Sequence, residues 1–253
     1  VITFIIPTTQ GTKPYLDFCV KSIKENTTVP YEILIGKNGK GSKYPQGQWG
    51  AVNRLVPKAK YDWIFLVNDD MYLPKGWDKD LLFPCYCFSP NVNWCHEPVP
   101  NLNYASVPAG NTIEEFDKEM VDNFMLNNED RMIENGFHFP LIFNKAIWSH
   151  VDGFDEMYDP WGSNGDSDFE YKMYLAGVQP KFYHGIMVYH FGSKTESFSA
   201  DKQNYWQKNW DYFIEKWGFP REETPWVQRA DLHIPLEKLK YKPDWNWYKG
   251  EEE

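Results

Sequence analysis

Trp63-Ile64-Phe65-Leu66-Val67-Asn68-Asp69-Asp70 is the stretch whose reading decides the fold. Its five leading apolar residues read as a buried strand covered on both faces, the usual pattern of a parallel sheet. The run then breaks into three polar side chains, so an amide and two carboxylates stand at the strand's carboxyl end. In open α/β sheets this is the edge over which ligands bind.

Toward the N-terminus, Val1 to Ile6 is a second apolar run, closed by Pro7 and Thr8. Thr12 and Pro14 supply a helix start, and Leu16, Cys19, Val20 and Ile23 recur at helical spacing until the pattern fades at Asn26. Tyr31 to Ile35 reads as the next strand, which completes a βαβ unit. Gly36 to Gly50 reads as a loop and Ala51 to Ala59 as a short helix.

Downstream of the deciding stretch, Pro84 to Asn111 is rich in Pro and Asn and reads as a long functional loop. Thr112 and Glu115 form a capping-box pattern for a helix reaching Asn127. Phe137 to Phe143 reads as a strand and Lys145 to Val151 as a short helix. Ser167 and Glu170 make a second capping-box pattern for a helix stopping at Gly177; Lys181 to His190 resumes as strand, and Tyr205 to Trp217 is an amphipathic aromatic helix. The expected architecture is α/β, a mainly parallel twisted sheet flanked by helices over residues 1–195, with a C-terminal helical and aromatic extension over 196–253 packed on the same domain.

The chain of 253 residues carries 36 acidic against 26 basic side chains, a net charge of −10, which argues against a nucleic-acid backbone or an anionic bilayer as partner. A nucleotide remains compatible, because one cation screens a diphosphate locally. Aromatics make up 18% of residues, more than a core of this size needs, and flat rings either cover the C–H face of a sugar or fill a Trp-rich core. With no apolar run long enough for a membrane span and no leader-like N-terminus, the 4 irregularly spaced cysteines read as reduced thiols of a cytoplasmic protein. Cys85, Cys87, Cys95 and His96 match none of the common structural zinc spacings.

Asp69 and Asp70 suit a hard cation such as Mg²⁺ or Mn²⁺ bridging a diphosphate, or else a solvated turn. Asp166 and Asp168 stand at a helix start, where the helix dipole favours ionised carboxylates. Ser167 and Glu170 account for the cap, which leaves Asp166 outside the first turn as a potential general base. His190, at the end of the last strand, reaches toward the same edge as Asp70 or serves the structure alone. Trp161, between Pro160 and Gly162, is expected to pack on a sugar or to anchor its loop.

Four segments carry a resemblance. Phe4-Ile5-Ile6-Pro7-Thr8 with Leu16, Cys19, Ser22 and Ile23, then Asn68-Asp69-Asp70, then Gly153-Phe154-Asp155-Glu156 with Asp166-Ser167-Asp168-Phe169, and finally Tyr189-His190 with Gly192 and Ser193 resemble, in that order, glycosyltransferase family 2 of the GT-A fold. The resemblance covers residues 1–195. It implies an inverting transfer of a sugar from a nucleoside-diphosphate sugar to a hydroxyl of a glycan or other acceptor, with Asp166 as base and Mn²⁺ or Mg²⁺ held by Asp70 and His190. Pro7, Thr8, Lys37, Asn38, Asn53, Asn68 and Asp69 would contact the donor, and Trp161 and Asp168 the acceptor.

Three departures stand out: Gly36-Lys37-Asn38-Gly39 replaces the family's acidic residue after the second strand, Gly165 the acidic residue before the base, and Asn68 the first Asp of the metal motif. The alternatives are a catalytically inactive carbohydrate- or nucleotide-sugar-binding module on the same fold, and a sugar-phosphate nucleotidyltransferase. For the latter, Thr8 to Pro14 is a poor phosphate loop.

Overall fold

The computed structural model describes residues 1–8, 13–37, 47–81, 83, 85–94, 107–136, 139–159, 162–192 and 200–218. At its centre the described residues form an eight-stranded sheet of order β2-β1-β3-β7-β5-β8-β4, with β6 (Ile133–Asn135) pairing with β8 beside that path. Strand β1 (Ile2–Thr8) lies between β2 (Tyr31–Lys37) and β3 (Trp63–Leu66), parallel to both. Helices α1 (Lys13–Asn26) and α2 (Gln48–Leu55) make the crossovers. Beyond β3 the sheet is mixed: β7 (Leu141–Asn144) runs antiparallel to β3 and to β5 (Cys87–Trp94). Strand β5 is in turn parallel to β8 (Lys181–His190). The parallel ladders carry more residue pairs than the antiparallel ones.

Alternation along the strands sends side chains to two cores. Ile5, Ile64, Leu66, Leu141 and Phe143 face α2, α4 (Lys145–His150), α5 (Gly165–Leu175) and α6 (Ala200–Trp217). Phe4, Ile6, Phe65, Val67 and Ile142 face α1 and Trp77 on the other side. A third cluster joins β4 (Met71–Tyr72) and the end of β8 to α3 (Lys118–Leu126) through Tyr72, Tyr189, Phe191, Val121 and Met125. Helix α5 is buried on nearly every face, and α6 covers it with Phe213 and Trp217 in the same core.

Several boundaries differ from expectation. The expected loop from Pro84 to Asn111 contains β5, an interior strand. Its ladder with β8 shifts register between Pro90 and Asn91, so the irregularity falls beside the residue that has no N–H to give. Helix α3 starts later than the Thr112 pattern indicates. Thr112 and Glu115 close a turn, and Asp117 is the cap, accepting from the Met120 N–H at 2.9 Å. Helix α5 starts at Gly165, so Ser167 lies inside it and Asp166 lies within its first turn. No helix among the described residues is long and apolar enough to cross a membrane.

Candidate active site

Adjacent carboxylates at the end of β3 are drawn apart by the sheet. Thr8 pairs with Lys37 across β1 and β2, and its hydroxyl donates to Asp69 Oδ2 at 2.5 Å. Asp70 turns the other way. The chain leaves β3 and pairs β4 antiparallel with β8, Met71 opposite His190, which places His190 Nε2 3.0 Å from Asp70 Oδ1. The rung is closed by the Phe191 N–H donating to the Asp70 carbonyl at 3.0 Å. Asp69, Asp70 and His190 are all buried, at 2%, 1% and 5% exposure. Cys19 packs beneath them with its thiol on the Asn68 carbonyl, and burial together with the two carboxylates pushes that thiol far above its ordinary range. Pro7 is buried on β1, and Lys37 is exposed at the end of β2.

A second group forms at the start of α5. Trp49, in the first turn of α2, stacks on Phe154 with centroids 4.6 Å apart and donates its indole N–H to the Gly162 carbonyl at 2.8 Å. Its ring passes so close to Gly165 that a Cβ there would lie 2.2 Å from Nε1. A side chain at this position would have to displace the tryptophan. Asp166 follows directly, half-buried, with Oδ1 accepting from the Ser167 N–H at 3.0 Å. Burial raises its carboxyl above the ordinary range, against the lowering effect of the Ser167 N–H and its own. The expected dipole preference for the ionised form is thus outweighed by desolvation.

Asn53 and Asp168 are both engaged by other residues of the protein. Asn53 accepts from the Phe154 N–H at 2.9 Å and donates to the Phe154 carbonyl at 2.7 Å. Its amide clasps α2 to the Gly153-Phe154 turn. Asp168 is fully buried, accepting at Oδ1 from Trp217 Nε1 at 2.9 Å and Tyr158 OH at 3.2 Å, with Lys216 Nζ at 2.8 Å. Asn38 and Trp161 lie outside the described residues, as do Cys95 and His96 of the zinc pattern. Cys19, Cys85 and Cys87 are free thiols.

Residue patterns did not single out Trp49, Asp159 or Lys216. Asp159 reaches across to the N-terminus of α2, where it accepts from the Trp49 and Gly50 N–H groups at 3.0 and 2.8 Å. It thereby caps a helix whose own cap residue, Gly47, has no side chain to offer. Burial pushes Asp159 up to about 6, against those two N–H groups. No sequence signal links partners so far apart along the chain.

The Asp70–His190 contact has the length of a hydrogen bond, and the same spacing would also suit two ligands of a hard cation. Neighbouring ligands of an octahedral ion with bonds of about 2.1 Å stand about 3 Å apart, and this carboxylate oxygen and imidazole nitrogen already have that separation. Among the described residues no cluster of three or more His, Cys, Asp or Glu side chains could hold a metal. An ion here would take its remaining ligands from a diphosphate and water.

No family model matches the chain, and no curated protein matches it. Solved structures do. A structure of GalNAc-T7 with UDP, GalNAc and Mn²⁺ superposes with a TM-score of 0.58 at 12% identity, over 86% of this chain and 48% of that one. Staphylococcus aureus TarS superposes with a TM-score of 0.51 at 13% identity, over 94% of this chain and 46% of that one. The chain therefore spans just under half the length of either neighbour. Its fold is that of the GT-A glycosyltransferases.

Proposed function

We propose that the chain is a metal-dependent, inverting glycosyltransferase that uses a nucleoside-diphosphate sugar, as the family 2 resemblance implies. The observation that carries this reading is the meeting of Asp70 and His190 at the carboxyl-end edge of a GT-A sheet, at cation-ligand spacing. Asp70 and His190 would hold Mn²⁺ or Mg²⁺, which supplies charge neutralisation for a departing diphosphate. Asp69, which accepts from the Thr8 hydroxyl, would contact the donor. Asp166 takes the proton of the attacking acceptor hydroxyl, and its raised pKa makes it a better proton acceptor near neutral pH than an ordinary aspartate. A single displacement with one base inverts the anomeric centre.

The test is a thermal-shift screen of UDP and other nucleoside diphosphates with Mn²⁺, with Mg²⁺ and with excess EDTA. Stabilisation that needs the cation supports the reading, since a ligand bound only to the folded state raises apparent stability. Equal stabilisation in EDTA overturns it. Cation-dependent binding with no hydrolysis of any nucleotide sugar favours the inactive binding module, and the anomer released by an active enzyme, read by proton NMR, decides inversion.

A further inference from the structure

We propose that Lys216, near the end of α6, is a positioning residue for Asp166, a proposal that rests on the general-base reading given above. The first turn of α5 lacks the usual fastening: Asn164 at its N-cap is left-handed, with φ 67°, and makes no side-chain cap hydrogen bond. The turn is held from outside. On one side Trp49 lies against Gly165, and on the other Asp168, two residues beyond Asp166, is gripped by α6.

Lys216 is the centre of that grip. Its ammonium stands 2.8 Å from Asp168 Oδ1 and 2.7 Å from Asp155 Oδ2, so one cation ties the first turn of α5 to the Gly153-to-Asp159 segment that leads toward it. Trp217 donates to the same Asp168 oxygen, and Tyr212 donates to the same Asp155 oxygen at 2.9 Å. Asn209, also on α6, donates to the Tyr158 carbonyl at 2.7 Å and to the Ser163 carbonyl at 3.1 Å. The charges balance: Lys172, nearly buried, lies 3.9 Å from Asp168 Oδ2 and donates to the Gly153 carbonyl at 3.0 Å. Burial raises the Asp168 carboxyl while the two lysines draw it down, and burial lowers Lys216 while Asp168 and Asp155 raise it. Two acids and two lysines in one enclosed cluster thus fix the helix turn that presents Asp166. This is an expensive arrangement for a mere extension, because a buried pair that loses one member leaves an uncompensated charge.

Lys216→Met, Lys216→Gln, Lys216→Arg and Trp217→Phe are compared for Mn²⁺-dependent hydrolysis of UDP-sugars, with UDP affinity measured alongside. The expected result is a fall in kcat of about tenfold or more for Lys216→Met, with KM and UDP affinity within about twofold of wild type and most of the rate restored in Lys216→Arg. A folded Lys216→Met protein with wild-type kcat overturns the proposal. If that variant does not fold, Lys216→Gln decides: it keeps a polar side chain and removes the charge that joins Asp168 to Asp155, and an unchanged kcat there overturns the proposal as well. Trp217→Phe reports the separate loss of the indole hydrogen bond and part of its packing. Asp166→Asn, assayed in parallel, separates the two ideas. A rate that drops with Lys216→Met and stays normal with Asp166→Asn removes the base assignment and leaves Lys216 positioning another group of the same turn. If wild type hydrolyses no UDP-sugar, hydrogen exchange over residues 162–170 is the readout; faster exchange in Lys216→Met reversed by Lys216→Arg supports the clamp, and no change overturns it.

Discussion

Asp166 is half-buried, and its carboxyl is raised by desolvation, whereas a helix cap alone gains from staying ionised. Asp166→Asn keeps the shape and removes the proposed base. Turnover is expected to fall about a hundredfold or more while UDP and Mn²⁺ affinity stay near wild type. Asn caps a helix about as well as Asp, so a purely structural Asp166 leaves both rate and melting temperature unchanged. The Asp70–His190 pair makes a separate prediction. Asp70→Ala should abolish the Mn²⁺-dependent part of the UDP thermal shift, and His190→Ala should reduce it by a smaller factor, because a neutral imidazole contributes less charge than a carboxylate. Two variants that shift like wild type would remove the cation from this site.

Elements that follow simple periodicity were legible in the sequence, and those ruled by partners far along the chain were not. β1, β3, β8 and α1 announce themselves as apolar runs or helical spacings. β5 does not, since Ser89, Pro90 and Asn91 are poor strand formers, and the strand exists because β7 and β8 flank it and its bulge falls at Pro90. The capping-box patterns misplaced two helix starts because a matching pair of residues also closes an ordinary turn. In the site, the closeness of Asp70 and His190 follows from both standing at strand ends, whereas the commitments of Asn53 and Asp168 depend on three-dimensional neighbours. Gly165 belongs to this second kind, and Gly165→Ala should cost about 1–3 kcal/mol by forcing the Trp49 indole aside. Melting curves of Gly165→Ala, Trp49→Phe and the double variant give the check. The double variant should lose less than the two singles together, with a coupling of about 0.5–3 kcal/mol, and strict additivity would contradict the contact.

For the molecule as a whole, part of the linkage between folding and pH runs through Asp159. With its carboxyl raised to about 6 in the folded state, the folded protein binds more protons than the unfolded chain above the ordinary aspartate value. The resulting stabilisation is fully present below that ordinary value and is lost as pH rises through about 6. Denaturant midpoints measured from pH 4 to pH 7 should therefore fall less steeply in Asp159→Asn, which cannot titrate, than in wild type. Equal slopes would show that the two backbone N–H groups of α2 hold Asp159 ionised throughout. The rung between β4 and β8 acts on the same scale but in time. It joins side chains 120 residues apart, and among the described residues β8 is the last strand of the sheet to be synthesised. A nascent chain still short of His190 owns only half of that pair, so a ligand needing both side chains ignores unfinished chains and is captured only after the last strand has docked.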